Sequence, residues 1–310
     1  MQIPKAVYCG SERIWGDGMA EIRTAAALGL FDGVHLGHRA VLRAAAEQSA
    51  KGLLSCVFTF PPLFAARKGG AGYIYDDEEK NFMLTESCGI EKIFSHSFAD
   101  ICGMDGESFA REILRGEMNA AFVCCGGDFR FGRGASCGIR ELRSFGEKYG
   151  FTVQAVDDVY CGGRRVSSTE IRSMLTAGDM EGADAFLGRP YTIMKNVSRG
   201  AQLGRTIGFP TANQVFGEGQ LVPRFGAYAS KAMINGKWYP SVTDIGRKPT
   251  VDYGGAPLAE TYIHGFSGEL YGSSLHVELL RFLRPEMRFG SVEELKRQIA
   301  ADAETALNIL

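Results

Sequence analysis

Ala25-Ala26-Ala27-Leu28-Gly29-Leu30-Phe31-Asp32-Gly33-Val34-His35-Leu36-Gly37-His38, followed by the Ala-rich segment Arg39 to Ala50, reads as strand, glycine turn and helix. The apolar run suits a buried strand, and Val34, Val41 and Leu42 begin a helical apolar stripe. Gly29, Gly33 and Gly37 let the backbone approach a ligand closely. The turn therefore opens onto a helix N-terminus, whose unpaired N–H groups and partial positive charge make a seat for phosphate. His35 and His38 stand three residues apart there, where imidazoles can donate hydrogen bonds to phosphoryl oxygens. The plainer alternative is an ordinary strand-to-helix turn with incidental histidines.

The same texture continues outward. Short apolar runs at Ala25–Leu30, Leu53–Phe60, Ile90–Phe94, Ala121–Cys125 and Thr152–Val156 alternate with helical patterns at Val41–Ala50, Asp77–Thr85, Ser108–Arg115 and Ile139–Lys148. That alternation predicts an α/β domain with a parallel sheet over residues 1–188. After the fourth strand, Gly126-Gly127-Asp128-Phe129-Arg130-Phe131-Gly132-Arg133-Gly134 lies where open α/β sheets bind ligands. Phe129 and Phe131 could bracket a planar ring and Arg130 and Arg133 could meet phosphate. A Gly-rich hairpin with a salt-bridged aspartate is the alternative. Further on, Ser167 and Glu170 fit a capping box, and Ser167, Ser168, Thr169 and Arg172 make a second phosphate-binding helix start. Gly178 ends that helix, Asp179 caps a short one, and Gly188-Arg189-Pro190 breaks the chain, which predicts a domain boundary at 188/189.

Residues 189–310 change character: short alternating strands, Gly-rich turns and no cysteine predict a small antiparallel β-barrel. Only the tail is helical, with a capping box at Ser291 and Glu294 and an apolar stripe through Leu295, Ile299, Ala303, Ala306 and Leu310. Gly200 to Asn213 is not a Walker loop, because its glycine spacing is short, Arg205 stands in place of lysine and no helix pattern follows. Gly200, Gly204 and Gly208 could instead wrap a nucleotide with backbone N–H groups, while Thr211 and Asn213 offer oxygens to Mg²⁺. Glu260, on the alternating strand Leu258–Ile263, is by residue type either a base or a solvated surface carboxylate.

The formal charge of −2 over 310 residues leaves no electrostatic footprint for nucleic acid or an anionic membrane, so the expected partners are small phosphorylated molecules. No apolar segment is long enough for a membrane span and the first residues lack a signal-peptide core, which predicts a cytoplasmic protein. The eight cysteines form no Cys-x-x-Cys pair, and read as reduced, mostly buried thiols.

Gly29 to His38 resembles the Gly-x-Phe-Asp-Gly-x-His-x-Gly-His signature of the prokaryotic bifunctional riboflavin kinase/FAD synthetase family. Gly127-Asp128-Phe129-Arg130-Phe131-Gly132, Ser167-Ser168-Thr169-Glu170-Ile171-Arg172, Gly208-Phe209-Pro210-Thr211-Ala212-Asn213 and Ile245-Gly246-Arg247-Lys248-Pro249-Thr250 are similar to further motifs of that family. The resemblance implies a Rossmann-like nucleotidyltransferase domain followed by a riboflavin kinase barrel. It implies ATP-dependent phosphorylation of riboflavin to FMN, then adenylyl transfer from ATP to FMN, giving FAD and pyrophosphate, with Mg²⁺. Under it His35 and His38 serve the reacting phosphates, Ser168, Thr169 and Arg172 the leaving pyrophosphate, and Glu260 deprotonates the ribityl hydroxyl. Gly29, Phe31, Asp32, Gly33, Gly127, Asp128, Phe129, Arg130, Ser167, Ser168, Thr169, Gly200, Gly204, Arg205, Gly208 and Pro210 line nucleotide or flavin. Three departures stand out: Thr59-Phe60-Pro61-Pro62-Leu63 lacks a histidine of the family pattern, Lys195 replaces a glycine, and Asp244 replaces an asparagine. They leave two alternatives, a riboflavin kinase with an impaired adenylyltransferase domain and a non-catalytic flavin- or nucleotide-binding regulatory protein.

Overall fold

The computed structural model describes residues 7–9, 22–62, 72–199, 208–247 and 255–309. The chain divides into two compact units, Met1–Ser168 and Thr169–Leu310, upstream of the break at Gly188.

The first unit is built on six parallel strands, β1 (Val7–Cys9), β2 (Thr24–Leu28), β3 (Leu54–Thr59), β4 (Lys92–Ser95), β5 (Ala120–Gly126) and β6 (Thr152–Val156), in the order β1-β4-β3-β2-β5-β6. β2 is buried on both faces, as central parallel strands are, and its alanines alternate between two cores. Ala25 and Ala27 face a cluster with Val41, Leu42 and Ala45 of α1 (Leu36–Ala46) and with Met83 and Leu84, which follow α2 (Asp77–Phe82). Ala26 and Leu28 face Phe109, Leu114 and Leu142, from the wide-turned α3 (Phe109–Glu117) and α4 (Ile139–Tyr149). The layers are therefore helix, sheet, helix. Chain order reverses at β2, with β3 on one side and β5 on the other, so the carboxyl ends of β2 and β5 flank the crevice where such sheets take ligands. Edge strand β1 and a hairpin of β7 (Tyr160–Cys161) and β8 (Arg164–Arg165) were not legible in the residue pattern. α1 starts at Leu36 rather than Val41 because His35 caps it.

The second unit begins in α5 (Ser168–Ala177) and α6 (Met180–Leu187), separated by Gly178 at φ 81°. Asp179 caps α6 by accepting the Gly182 N–H at 2.9 Å. β9 (Tyr191–Asn196), β10 (Thr211–Val215), β11 (Gly226–Ile234), β12 (Lys237–Arg247), β13 (Pro257–Ile263) and β14 (Ser274–Arg284) form an antiparallel sheet ordered β10-β13-β12-β11-β14-β9. It curls until its edge strands meet: the Ser198 N–H donates to the Asn213 carbonyl at 2.8 Å. Inside, Gln214 Nε2 ties Lys195 O at 3.0 Å to Leu275 O at 2.7 Å. A hydroxyl row joins Ser230, Thr243 and Thr261 at 2.8 and 3.0 Å. Outside, α7 (Val292–Ile309) lays Ala303 and Ala306 on Ala229 and Val242, and Asp302 accepts Arg284 Nε at 3.0 Å and a terminal guanidinium N–H at 2.8 Å. Glu294 N–H donates to Ser291 Oγ at 3.2 Å, half of the expected capping box, while the Glu294 carboxylate takes the N–H of Gly290 instead.

Burial pushes the thiols of Cys56 and Cys125 up to about 12, and that of Cys124 higher still, which keeps them protonated. Cys102 departs from the buried pattern and is exposed.

Candidate active site

In the first unit the turn after β2 is wound through left-handed backbone. Phe31, Gly33 and Val34 have φ of 52°, 85° and 42°. For a β-branched residue that conformation is strained, and it persists where surrounding structure over-determines it. Here burial does so: Phe31 is 1% and Val34 0% exposed. At φ 85° a side chain on Gly33 would be strained, and its Cβ would stand 2.9 Å from Ile74 Cδ1, which would have to shift. Asp32 is buried and accepts the Ile74 N–H at 2.8 Å, while Ser168 Oγ donates to Asp32 O at 2.8 Å. Gly29 lies against the Phe31 ring.

This turn sets both histidines. His35 is the N-cap of α1, and its Nδ1 accepts the His38 N–H at 3.2 Å. An accepting Nδ1 places the neutral ring's proton on Nε2. The rings are stacked with centroids 3.6 Å apart and 15° between planes, and Phe31 meets His38 edge-on at 5.4 Å. The expected shared face is present, at a helix start carrying partial positive charge.

Two neighbours of the turn escaped the residue pattern. Lys80 is 2% exposed on α2, its Nζ donates to Phe60 O at 2.7 Å and lies 3.9 Å from Asp77 Oδ1. Burial lowers its pKa to about 8, against the raising fields of Asp77 and Asp32. Its position three and four residues before the apolar Met83 and Leu84 marks the buried face of α2, and was the available signal. His96 follows β4: its N–H donates to Thr59 O at 3.2 Å, its ring stacks on Phe58 at 5.3 Å, and Nε2 lies 3.1 Å from Glu117 Oε1. Thr59 in turn donates through Oγ1 to Leu30 O at 3.0 Å. His96 thus lies beside Thr59 in the sheet.

The loop after β5 shares the sheet edge with the turn, because β2 and β5 are paired through Ala27 and Cys124. Gly127, Asp128 and Arg130 are exposed. Arg165, on β8, bridges Asp128 at 2.8 Å and Asp158 at 2.7 Å, and both carboxylates push its pKa further up. Arg130 Nε donates to Ala135 O at 3.1 Å within the loop. Phe129 and Phe131 do not bracket an open slot: their rings stack on each other at 5.8 Å, and Phe131 is buried in the core against Phe109. Phe129 is half-buried against the same core. Ser167 is half-buried, and in the second unit Thr169 is exposed and Arg172 buried on α5.

In that second unit Gly208 and Pro210 are exposed before β10, with Phe209 edge-on to Tyr262 at 5.1 Å. Gly200, Gly204 and Arg205 lie outside the described residues, as do Lys248, Pro249 and Thr250. Thr211 and Asn213, two apart on β10, share a face. Asn213 is paired directly with Glu260 on β13, which puts the two side chains next to each other. Asn213 is 6% exposed, and its Oδ1 has no hydrogen-bond partner among the described residues.

Two family models match successive parts of the chain. The FAD synthetase family model matches residues 19–170 and the riboflavin kinase model residues 187–310. The bifunctional riboflavin kinase/FMN adenylyltransferase of Escherichia coli (strain K12) is 36% identical over 289 residues, 90% of each chain. The proteins of the same name from Listeria monocytogenes and Bacillus subtilis are 32% identical, covering 93% of each chain, and 33% identical, covering 93% of this chain and 92% of theirs. A crystal structure named as a macrolide-efflux protein from Streptococcus pneumoniae superposes with a TM-score of 0.79 at 26% identity, covering 94% of this chain and 96% of that one. Among the described residues no helix is long and apolar enough to cross a membrane. With relatives this similar along nearly the whole chain and both family models matched in order, the chain belongs to the bifunctional riboflavin kinase/FMN adenylyltransferase family.

Proposed function

We propose that the chain makes FAD in two ATP-dependent steps, with the boundary between the two chemistries at Gly188. The barrel of residues 189–310 phosphorylates riboflavin, and the α/β domain of residues 1–188 transfers AMP to the FMN so formed. The observation that carries this is a pair of phosphate-handling devices in two different folds: the His35–His38 stack at the start of α1, and the Asn213–Glu260 pair on adjacent strands.

In the kinase step Glu260 takes the proton from the terminal ribityl hydroxyl as its oxygen bonds to the γ-phosphorus of ATP, and ADP leaves. A buried amide oxygen without a donor costs about 1–3 kcal/mol unless something fills its lone pairs, so Asn213 Oδ1 fits a divalent cation, with Thr211 on the same face. Mg²⁺ bound there would neutralise phosphate charge. Gly208 and Pro210 shape the loop that leads to these residues.

In the adenylyl step an FMN phosphate oxygen bonds to the α-phosphorus of ATP as the bond to pyrophosphate breaks. His35 donates from Nε2, His38 donates beside it, and the α1 terminus stabilises the charge that develops. Gly29, Phe31, Asp32 and Gly33 hold the turn, while Ser167 and Ser168 receive the pyrophosphate. Gly127, Asp128, Phe129 and Arg130 position nucleotide or flavin, with Arg165 fixing Asp128. The chain works on small molecules, in the cytoplasm, where free thiols stay reduced.

A time course with riboflavin and Mg-ATP, resolved by chromatography, tests the reading. FMN rising first and FAD following supports it. FMN accumulating alone contradicts the adenylyl assignment, and binding of flavin with no product contradicts both.

A further inference from the structure

Tyr160 is 63% exposed, the most exposed large hydrophobic side chain among the described residues. It stands on a hairpin that the first unit anchors. Gly162 and Gly163, at φ 57° and 76°, form the two-residue left-handed turn that joins β7 to β8. The pairing runs on past the strands, with the Val166 N–H donating to Val159 O at 2.9 Å. Val166 is buried, and its carbonyl oxygen lies 3.8 Å from where a Cβ on Gly37 would stand, so the exit of the hairpin rests against the start of α1. Two residues on, Ser168 is tied to Asp32 of the β2 turn.

Tyr160 is paired directly with Arg165, so the two side chains leave the same face of the hairpin. Arg165 crosses to the loop after β5, donating to Asp128 at 2.8 Å, and also to Asp158 at 2.7 Å. The face that carries Tyr160 is therefore the one turned to that loop. Ring, guanidinium and two carboxylates make one open shelf at the carboxyl ends of β5 and β6. Phe31 and Phe131 are buried and Phe129 stacks on Phe131, so Tyr160 is the ring that this shelf presents. Ser167 stands two residues past Arg165, roughly 7 Å along an extended chain. A single ribose spans such a gap between a base and its phosphate, whereas the open ribityl chain of a flavin is longer.

We propose that Tyr160 is the platform on which the adenine of ATP stacks in the adenylyl step, with Asp128 and Asp158 facing its exocyclic amino group. This rests on the adenylyl reading of the first unit. The phenol ring gives a planar base a broad apolar face. Each carboxylate gives Arg165 one oxygen, and its second oxygen is an acceptor for an N–H. Tyr160 meets the base and no reacting atom, so it determines specificity and affinity for the nucleotide.

The test follows FAD formation from added FMN by the full chain, which leaves the kinase step out. In Tyr160→Ala the KM for ATP should rise roughly tenfold, the usual size of a lost base stack, while kcat and the KM for FMN change little. Tyr160→Phe should keep the wild-type KM, since stacking needs the ring and not the hydroxyl. Both variants should melt with wild type, because the position is exposed. Pyrophosphate carries no base, so its inhibition constant should be the same in wild type and Tyr160→Ala. Weaker inhibition by pyrophosphate in Tyr160→Ala, or a rise in the KM for FMN in place of that for ATP, would overturn the assignment to adenine. An unchanged KM for ATP in Tyr160→Ala, with FAD still forming, would overturn the role of Tyr160 and leave the adenylyl reading standing. No FAD from FMN in wild type would overturn that reading and this assignment with it.

Discussion

His35 Nδ1 accepts the His38 backbone N–H at 3.2 Å while the two imidazoles stack at 3.6 Å, so one ring both caps α1 and props up the other. Structure and chemistry are separable at His35. Asn at an N-cap is as good as the best caps, whereas Ala costs about 1 kcal/mol. His35→Asn should therefore keep the melting temperature that His35→Ala loses. Both variants, and His38→Ala, should slow FAD formation from FMN by roughly 10²–10³, the effect of removing one donor to developing phosphate charge. FMN formation from riboflavin should stay at the wild-type rate in all three.

Gly33→Ala tests the winding of the turn. At φ 85°, with Ile74 Cδ1 standing 2.9 Å from the new Cβ, the substitution should destabilise the first unit by about 1–3 kcal/mol. Thermal unfolding should register it, and the KM for ATP in the adenylyl step should rise.

Lys80 gives a pH signature. Its pKa falls from 10.5 to about 8 on burial, so between those values the unfolded chain holds a proton that the folded chain has released. Stability then increases with pH across that window, by on the order of 3 kcal/mol at 1.36 kcal/mol per unit. Lys80→Met loses the donor to Phe60 O at every pH but has no such slope. The difference in melting temperature between wild type and Lys80→Met should move in favour of wild type from pH 8 to 10.5, and parallel curves would contradict the assignment.

Asp184 has the opposite sign. It accepts the Tyr191 N–H at 3.0 Å from α6. Burial lifts its pKa from 3.8 to about 7 despite that hydrogen bond, with Glu278 and Glu181 adding to the rise and Arg189 opposing it. The folded state binds more protons between those values, so this stabilisation is complete below 3.8 and lost as pH rises through about 7. Asp184→Asn keeps the acceptor and drops the charge. It should melt above wild type at pH 8 and level with it near pH 4, in a thermal scan of the full chain.

Much of this was readable in the residues. β2, the turn, α1 and the stacked histidines follow from a run of alanines, a glycine rhythm and two histidines three apart, all local signals. Thr152–Val156 appears with the bounds that its apolar pattern sets. What was not legible depends on contacts distant in sequence. Phe131 reads like a ring for a ligand, yet the core formed by Phe109 and Phe145 takes it. Lys80, Arg165 and His96 act through Phe60, Asp128 and Thr59, partners that only sheet order brings near. The pairing of Asn213 with Glu260 is a matter of register, which strand composition alone leaves open.

If the two reactions belong to separate sites within one chain, two disabled proteins should complement each other. His38→Ala should convert riboflavin to FMN and stop. Glu260→Gln should leave riboflavin untouched but turn added FMN into FAD. Combined with riboflavin and Mg-ATP, the two should restore FAD, with FMN appearing first. Failure of the mixture to make FAD, or loss of both reactions in either variant alone, would mean that the two reactions do not have separate sites.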